Sequence, residues 1–422
     1  MEFKTLKLDN LNLNITKTNK FKCVLFAIAF RRPIRKSEIT KQRMLSLLLE
    51  SSQKYKSKLD IKNKLEDLYG AQLYNWQLRV GTTIETGFSI YGLNENYSEA
   101  GILKKYLEFL KEVVFNPNIQ EQAFAKEQLN YIKERMKLNI ANERTNKNWY
   151  SKRQLLLNVD DDKAPFHINM NGYLDEIEKI TSRDLYEYYL DVINNDQLDI
   201  WLAGDIELEY IKNQVTEVFD INRENKRLEI DLNYMASSKA KAKEVVLKDK
   251  IKSSRLHVLY NIEHLSDFER EYVFRILDNI LGKVRSGKLK AEIRDKQALC
   301  YSINTTYHSY YNLFVISSGI SAKNKRRVLK TIDQVITSII NQGVTECELE
   351  MGKKHTLSHL HVMPDKLSNI LNYHQSIVFY GKDKIDEQIE KIESITNQDI
   401  INVAKKLKLH SSLILSEEGE LS

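Results

Sequence analysis

Ile177-Glu178-Lys179-Ile180-Thr181 and Ile392-Glu393-Ser394-Ile395-Thr396 are two versions of one phrase, set 215 residues apart. Each is followed by a helical pattern and then by a short apolar strand, Leu198–Ala203 in the first case and Leu413–Leu415 in the second. Gly204 and Gly419 close the two runs at the same offset. Thr181 and Thr396 stand where a hydroxyl caps the next helix, because its oxygen accepts from one of the unpaired first amides. A shared offset and a shared order of elements imply two related halves. The competing reading is a coincidence between two short motifs.

The first half opens with an apolar run, Phe21–Phe30, that reads as a buried strand. A buried helix is expected over Lys41–Ser51, carrying Met44, Leu45, Leu47, Leu48 and Leu49. A shorter one, Lys58–Leu68, ends at Tyr69-Gly70, where glycine can supply a left-handed cap. Strands alternate from Ala71 to Gly92. Ile102–Phe115 has helical spacing and stops before Asn116-Pro117. Helices follow over Gln120–Asn142, Asn148–Asn158 and Ser182–Val192. The second half reads similarly. Strands are expected at Leu256–Ile262, Tyr301–Tyr307 and Asn312–Ile320. Helices are expected at Asp267–Leu281, Leu289–Arg294, Asn324–Asn341, Glu346–His361, Asp365–Tyr380 and Asn397–Leu407. Between the halves, Ala236–Ser254 is rich in Lys, Ala and Ser and reads as an exposed connector.

The 422 residues suffice for two to four domains. A hydrophobic fraction of 42% can fill real cores, which excludes wholesale disorder. Only 14 Gly and 4 Pro argue against a turn-rich all-β protein. A net charge of +6 from 64 Lys+Arg and 58 Asp+Glu is too diffuse for nucleic-acid binding. Cys23, Cys300 and Cys347 are odd in number and far apart. They build neither a disulfide framework nor a cysteine zinc site, and they fit a reducing compartment. The first residues are polar and lack a signal-peptide core, and Cys23–Phe30 is too short to span a bilayer. A soluble cytoplasmic protein is expected.

Four features tempt a chemical reading. His355 and His359 share a helix face as zinc ligation needs, but His361 points away and no carboxylate sits where a hydrolytic motif requires it. Structural histidines are the simpler reading. Asp160-Asp161-Asp162 lacks the alternating ligands of a calcium loop and reads as a solvated acidic turn. Leu281-Gly282-Lys283-Val284-Arg285-Ser286-Gly287-Lys288 has the wrong glycine spacing for a phosphate loop and follows a helix, not a strand. Cys300 opens an apolar strand and reads as an inert core cysteine.

The stretch from Leu281-Gly282 through Gly287-Lys288-Leu289-Lys290-Ala291-Glu292-Ile293-Arg294 to Leu299-Cys300-Tyr301-Ser302 resembles the second half of pitrilysin/insulinase-type zinc peptidases. Ile293, Arg294, Leu299 and Tyr301 match the family's pattern there, while Gly287 and Lys290 replace its Ser and Phe. Phe21–Arg32, the Lys58–Gly70 helix with its Leu68-Tyr69-Gly70-Ala71 ending, Glu127–Glu134 and Gly381–Ser416 fall in family order. The resemblance implies an α+β fold of two homologous halves, closing like a clamshell. Each half would be of duplicated α/β units, with mainly antiparallel sheet and helices on one face. The expected division is 1–235, a linker 236–254, and 255–422.

Active members carry His-x-x-Glu-His on the first long helix, two imidazoles for zinc and a carboxylate for its water. The matching positions here are Gln42 and Ser46 for the ligands and Leu45 for the base. None can do its job, and no histidine precedes His167. Glu127–Glu134, the distal ligand's neighbourhood, keeps glutamates that read as exposed helix residues. Leu68-Tyr69-Gly70-Ala71 after the small helix and the helix near His374-Gln375 resemble a metal-free bacterial branch of the family. The resemblance implies no cofactor in this chain and zinc in a catalytic sister subunit. It implies a peptide substrate held by Arg294 and Tyr301, whose plainer reading is an Arg salt bridge at a helix end and a core Tyr; charge and the short apolar run argue for no nucleic acid and no membrane span. The alternative is a stand-alone peptide-binding or scaffold protein linked to peptide maturation or elongation factor P modification.

Overall fold

The computed structural model describes residues 1–159, 164–229, 234 and 243–417. In the first half the strands are β1 (Glu2–Lys7), β2 (Asn12–Lys17), β3 (Cys23–Pro33), β4 (Gln72–Val80) and β5 (Thr83–Leu93). A two-residue pair, β6 (Ile119–Gln120) and β7 (Ala123–Phe124), and then β8 (Gln197–Gly204) follow. In the second half they are β9 (Lys243–Lys248), β10 (Ser254–Ile262), β11 (Cys300–His308), β12 (Leu313–Ile320) and β13 (Leu407–Ser416). One sheet has the order β1-β2-β8-β3-β5-β4; the other, read from its far edge, is β9-β13-β10-β12-β11. From β2 onward the two orders correspond strand for strand. The parallel pair falls in the same place, β2 with β8 and β9 with β13, and the other neighbours are antiparallel.

The duplicated phrase has a physical basis in both copies. Thr181 Oγ1 accepts from the amide of Asp184 at 3.1 Å, and Thr396 Oγ1 from that of Asp399 at 3.3 Å. Each aspartate carboxylate in turn accepts from its threonine's amide at 2.8 Å. These reciprocal bonds start the helices Ser182–Asn195 and Asn397–Lys405 with no orphaned donor at the cap.

The sheets belong to two compact units. One comprises Met1–Ala141, Ile168–Leu232 and Met363–Lys382; the other comprises Asn142–His167, Asn233–Val362 and Asp383–Ser422. The sequence halves and the compact units are therefore different partitions, because each unit takes a helical segment from the other half. The reason lies in the strands. β3 is apolar at nearly every position, so Val24, Phe26, Ile28 and Phe30 line one face while Leu25, Ala27 and Ala29 line the other. A sheet apolar on both sides needs cover on both sides. The larger face packs under Lys36–Leu48, Ile102–Phe115 and Ser182–Asn195; the other takes helix Leu367–Tyr380, whose Leu367 and Leu371 meet Trp201. In the second unit, Leu155 of helix Lys147–Leu156 covers Leu259, Leu313, Val315 and Leu413 in the same way. Helices thus lie on both faces of each sheet, not on one.

Each of these smaller faces encloses a neutral histidine. His374, on the helix, faces Thr16 Oγ1 through Nδ1 at 2.9 Å. His257, on β10, meets Ser151 Oγ at 2.7 Å and Ser317 Oγ at 2.8 Å. Burial pushes the two imidazoles down, His374 to about 4 and His257 to about 3.

Two expectations need correction. The connector is not exposed chain throughout: Lys243–Lys248 is strand β9, because Val245 and Leu247 point to one side and pack inward while Glu244, Val246 and Lys248 face out. Residues 236–242 lie outside the described residues, as do Asp160-Asp161-Asp162 and Gly419. The helix expected from Gln120 starts at Lys126, since Glu121 and Gln122 adopt φ of +49° and +58° and turn β6 into β7. Among the described residues no helix is long and apolar enough to cross a membrane.

Candidate functional site

Helix Lys36–Leu48 turns Gln42, Leu45 and Ser46 into the first unit's interior, where none is more than 5% exposed. Gln42 Nε2 donates to Thr86 Oγ1 of β5 at 3.0 Å, and Ser46 Oγ donates to the Arg43 carbonyl at 2.8 Å. Leu45 is part of the apolar core. With Phe30, Phe88, Val114 and Asp196 they enclose a cavity of about 20 Å³, room for about one water. A catalytic zinc needs three converging lone-pair donors and an open position for water. An amide committed to a threonine, a methyl-lined wall and a hydroxyl bonded to its own helix do not fit that ion.

Sequence reasoning missed the polar cluster on the outer side of the same helix. Glu50 pairs with Arg135 at 3.1 Å and with Lys58 at 2.9 Å, while Asn75 Nδ2 donates to the Ser46 carbonyl at 3.0 Å. Arg43 meets this cluster. Burial, then Arg135, hold its guanidinium below the ordinary value, and Glu50 opposes them. Beside it, Leu47, Leu48, Glu50, Glu127 and Tyr131 line a groove of about 340 Å³. Glu134 instead pairs with Lys137 at 2.6 Å on the exposed side of helix Lys126–Glu143. Among the described residues no three His, Cys, Asp or Glu side chains are grouped to hold a metal ion. No signal in the sequence joins Arg43 and Glu50 with Asn75 and Arg135, which come from three separate stretches.

In the second unit, the segment carrying Arg294 and Tyr301 is irregular in three ways. Lys290–Asp295 is wound in the wide π form, with the Lys296 amide reaching the Ala291 carbonyl at 2.9 Å. Ala298 has φ of +50°, a left-handed conformation that costs a non-glycine residue energy. Then β11 slips against β12 between Cys300 and Ser302, so Tyr301 occupies a bulge. The bulge leaves Tyr301 80% exposed. Arg294 Nε donates to Asp295 Oδ1 at 2.8 Å, which raises the guanidinium's affinity for its proton. Arg294 is thus committed to Asp295 and not to Tyr301, and both side chains are reachable from solvent. Irregular backbone of this kind concentrates where a chain presents groups to a ligand.

The remaining candidates resolve plainly. His355 and His359 stack edge to face with ring centroids 4.8 Å apart, and among the described residues no third ligand joins them. Cys300 is buried, and burial raises its thiol. The Gly282–Gly287 loop follows a second π-wound stretch, Asn279–Lys283, with no strand before it.

The description Peptidase M16 inactive domain belongs to the family model that matches residues 179–355. The probable inactive metalloprotease YmfF of Bacillus subtilis is 25% identical over 97% of this chain and 96% of its own length. An uncharacterized zinc protease of the same organism, YmxG, is 23% identical over 56% of this chain and 57% of its own. A conserved protein from Enterococcus faecalis V583 has the same fold, with a TM-score of 0.89 at 23% identity over 99% of both chains. The same two-sheet fold is found in the peptidase M16 inactive domain of Pseudomonas fluorescens, with a TM-score of 0.80 at 16% identity over 99% of this chain and 98% of that one. The chain is similar to inactive peptidase homologues of that type.

Proposed function

We propose that this chain is the non-catalytic subunit of a heterodimeric zinc endopeptidase, binding peptide substrate and supporting a catalytic sister chain that holds the zinc. The observation that carries the reading is the contrast between its two candidate sites. Residues 42, 45 and 46 are packed away in core, whereas Lys290–Tyr301 departs from regular backbone three times and keeps Tyr301 in solvent. The chemistry suits a peptide. A guanidinium can hold a carbonyl or carboxylate, and a phenol can donate to a developing oxyanion. That one organism carries both a relative named as an inactive metalloprotease and one named as a zinc protease is consistent with such a pair. Three free cysteines fit a cytoplasmic setting.

Co-expression with a relative carrying His-x-x-Glu-His, sought in the same genome, tests the reading. A stable complex whose peptidase activity exceeds that of the sister alone is expected. A chain that purifies apart from a fully active sister would overturn it and leave a stand-alone peptide-binding protein.

A further inference from the structure

In the first unit, the end of β3 borders a cavity of about 330 Å³. β3 and the residues just after it bring Arg31, Arg32 and Arg35 to its wall. Helix Ser182–Asn195 and the residue that caps it bring Asp191 and Asp196. The chain beyond helix Leu208–Val218 brings Lys226 and Arg227. Arg31 is the most buried of these cations, only 2% exposed. Its Nη2 pairs with Glu85, and the Phe379 ring lies over the guanidinium with its centroid 3.6 Å away. The Tyr380 phenol also faces it. Yet Nε and Nη1 of Arg31 have no hydrogen-bond partner among the described residues. Buried donors without acceptors are costly, and a ligand oxygen in the cavity would relieve that cost.

The other charges can be followed one by one. Arg32 is fully engaged, by Asp191 at 2.6 Å, Asp196 at 2.7 Å and Glu38 at 2.9 Å. Arg35 shares Glu38 at 2.8 Å. Arg223 donates to the carbonyls of Ile193, at 2.6 Å, and Asp196. Asp199 faces Arg31 and Arg223 and is held by Asn12 at 2.9 Å and Gln197 at 2.8 Å. Lys226 meets the neutral Asn195 Oδ1 at 2.7 Å, and among the described residues no ion pair reaches Lys226 or Arg227. Both are exposed. Six cations thus stand against five carboxylates, those of Glu38, Glu85, Asp191, Asp196 and Asp199. Burial pushes Asp196 up to about 7 and Asp199 up to about 6, so at pH 8 all five are ionised and one positive charge is left over. Asp196 Oδ2 also lacks a partner, but Asp196 borders the 20 Å³ cavity too, which has room for a water.

We propose that this cavity binds a short-chain carboxylate, whose oxygens accept from Arg31 and whose charge is balanced by Lys226 and Arg227. One negative charge matches the surplus of one, which a phosphate dianion would exceed. A planar carboxylate suits the planar guanidinium. Pro33 and Leu228 in the wall offer apolar surface to a short aliphatic body. The site is independent of the peptide-binding role proposed above.

The test uses the full chain at pH 8 with propionate, its neutral counterpart propionamide, and inorganic phosphate. Affinities come from ligand-observed NMR. Variants of the buried Arg31 can fail to fold, so the exposed Arg227 is changed instead. Arg227→Glu should weaken propionate binding by about tenfold, because an attraction becomes a repulsion at the same place. Arg285→Glu, in the second unit, makes the same change of net charge and should leave the affinity as it was. Arg31 has its own reporter. Trp76 Nε1 donates to Glu85 at 2.9 Å, and Glu85 holds Arg31. The Trp76 indole N–H signal should therefore shift along the propionate titration while that of Trp149, in the second unit, stays still. No propionate binding, equal binding of propionamide, or tighter binding of phosphate would each overturn the proposal. So would an unchanged affinity in Arg227→Glu, an equal loss in Arg285→Glu, or an unmoved Trp76.

Discussion

The edge strands β4 and β11 hold equivalent places in the two sheets and are built differently. β4 pairs with β5 at all nine positions from Gln72 to Val80 without a slip, and Trp76 Nε1 donates to Glu85 at 2.9 Å. β11 slips at its second residue and turns Tyr301 out. The helices above the sheets differ likewise. In the first unit, Lys36–Leu48 delivers positions 42, 45 and 46 to the core; in the second, the equivalent region is π-wound and surrounds a basic loop. A duplicated scaffold allows one copy to close by ordinary packing while the other keeps groups in solvent at the expense of regular backbone.

Metal content is where the largest contrast is expected. The isolated chain should hold no stoichiometric zinc and cleave no peptide, measured by elemental analysis after chelator-free purification. One tightly bound zinc per chain would break the comparison, whichever residues held it.

Next in size is the triple change Gln42→His, Leu45→Glu, Ser46→His. It places polar groups in a packed interior at about 1–3 kcal/mol each. Thermal denaturation should therefore show a large loss, while Arg294→Ala with Tyr301→Phe leaves the midpoint in place. An unchanged midpoint for the triple variant would mean that the first unit's site is an open cleft after all.

The pH dependence should separate the units. His374 and His257 have folded values of about 4 and about 3, below the ordinary 6.5, so protons favour the unfolded chain. Their contribution is full above pH 6.5 and is lost as pH falls through about 4 and then about 3. The first unit also buries Asp196 and Asp199, which burial raises from 3.8 to about 7 and about 6. Their contribution has the opposite sign, full below 3.8 and lost as pH rises through about 6 and about 7. Acid should therefore destabilise the second unit sooner. Single-tryptophan variants check this by urea titration at pH 7 and pH 5: Trp201 reports the first unit and Trp149 the second. Equal losses at the two probes would contradict the assignment.

The smallest expected effect sharpens the likeness. Thr181→Ala and Thr396→Ala should each cost about 1 kcal/mol, since both remove the same reciprocal cap. Chemical denaturation of the two variants should give similar losses. A cost in one unit alone would show that the two caps are not equivalent.

The duplication was legible because a capping box is local: Thr181 with Asp184, and Thr396 with Asp399, state it within four residues. Ile102–Phe115 was legible to the residue because its apolar spacing is strong and Asn116-Pro117 stops it. Gly70 was legible as a helix stop, and it does adopt φ of +67°. The exchange of helices Lys147–Leu156 and Leu367–Tyr380 was not, since an amphipathic helix does not say which sheet it will cover. β9 hid in a lysine-rich stretch with only two inward residues. The π winding, Ala298 and the bulge at Tyr301 also escaped, because non-local packing, not residue preference, imposes them. The five positions Gln42, Leu45, Ser46, Arg294 and Tyr301 came from a family pattern, and that pattern carries no information about burial.

The most direct test of the account is the turnover of the assembled complex when this chain carries Arg294→Ala and Tyr301→Phe. Assembly is verified by size-exclusion chromatography, and peptide cleavage is followed under single-turnover conditions. An oxyanion donor is worth about 10²–10³ in rate, so the account predicts a loss of at least about tenfold with assembly intact. Full activity in an assembled complex carrying both changes would contradict it.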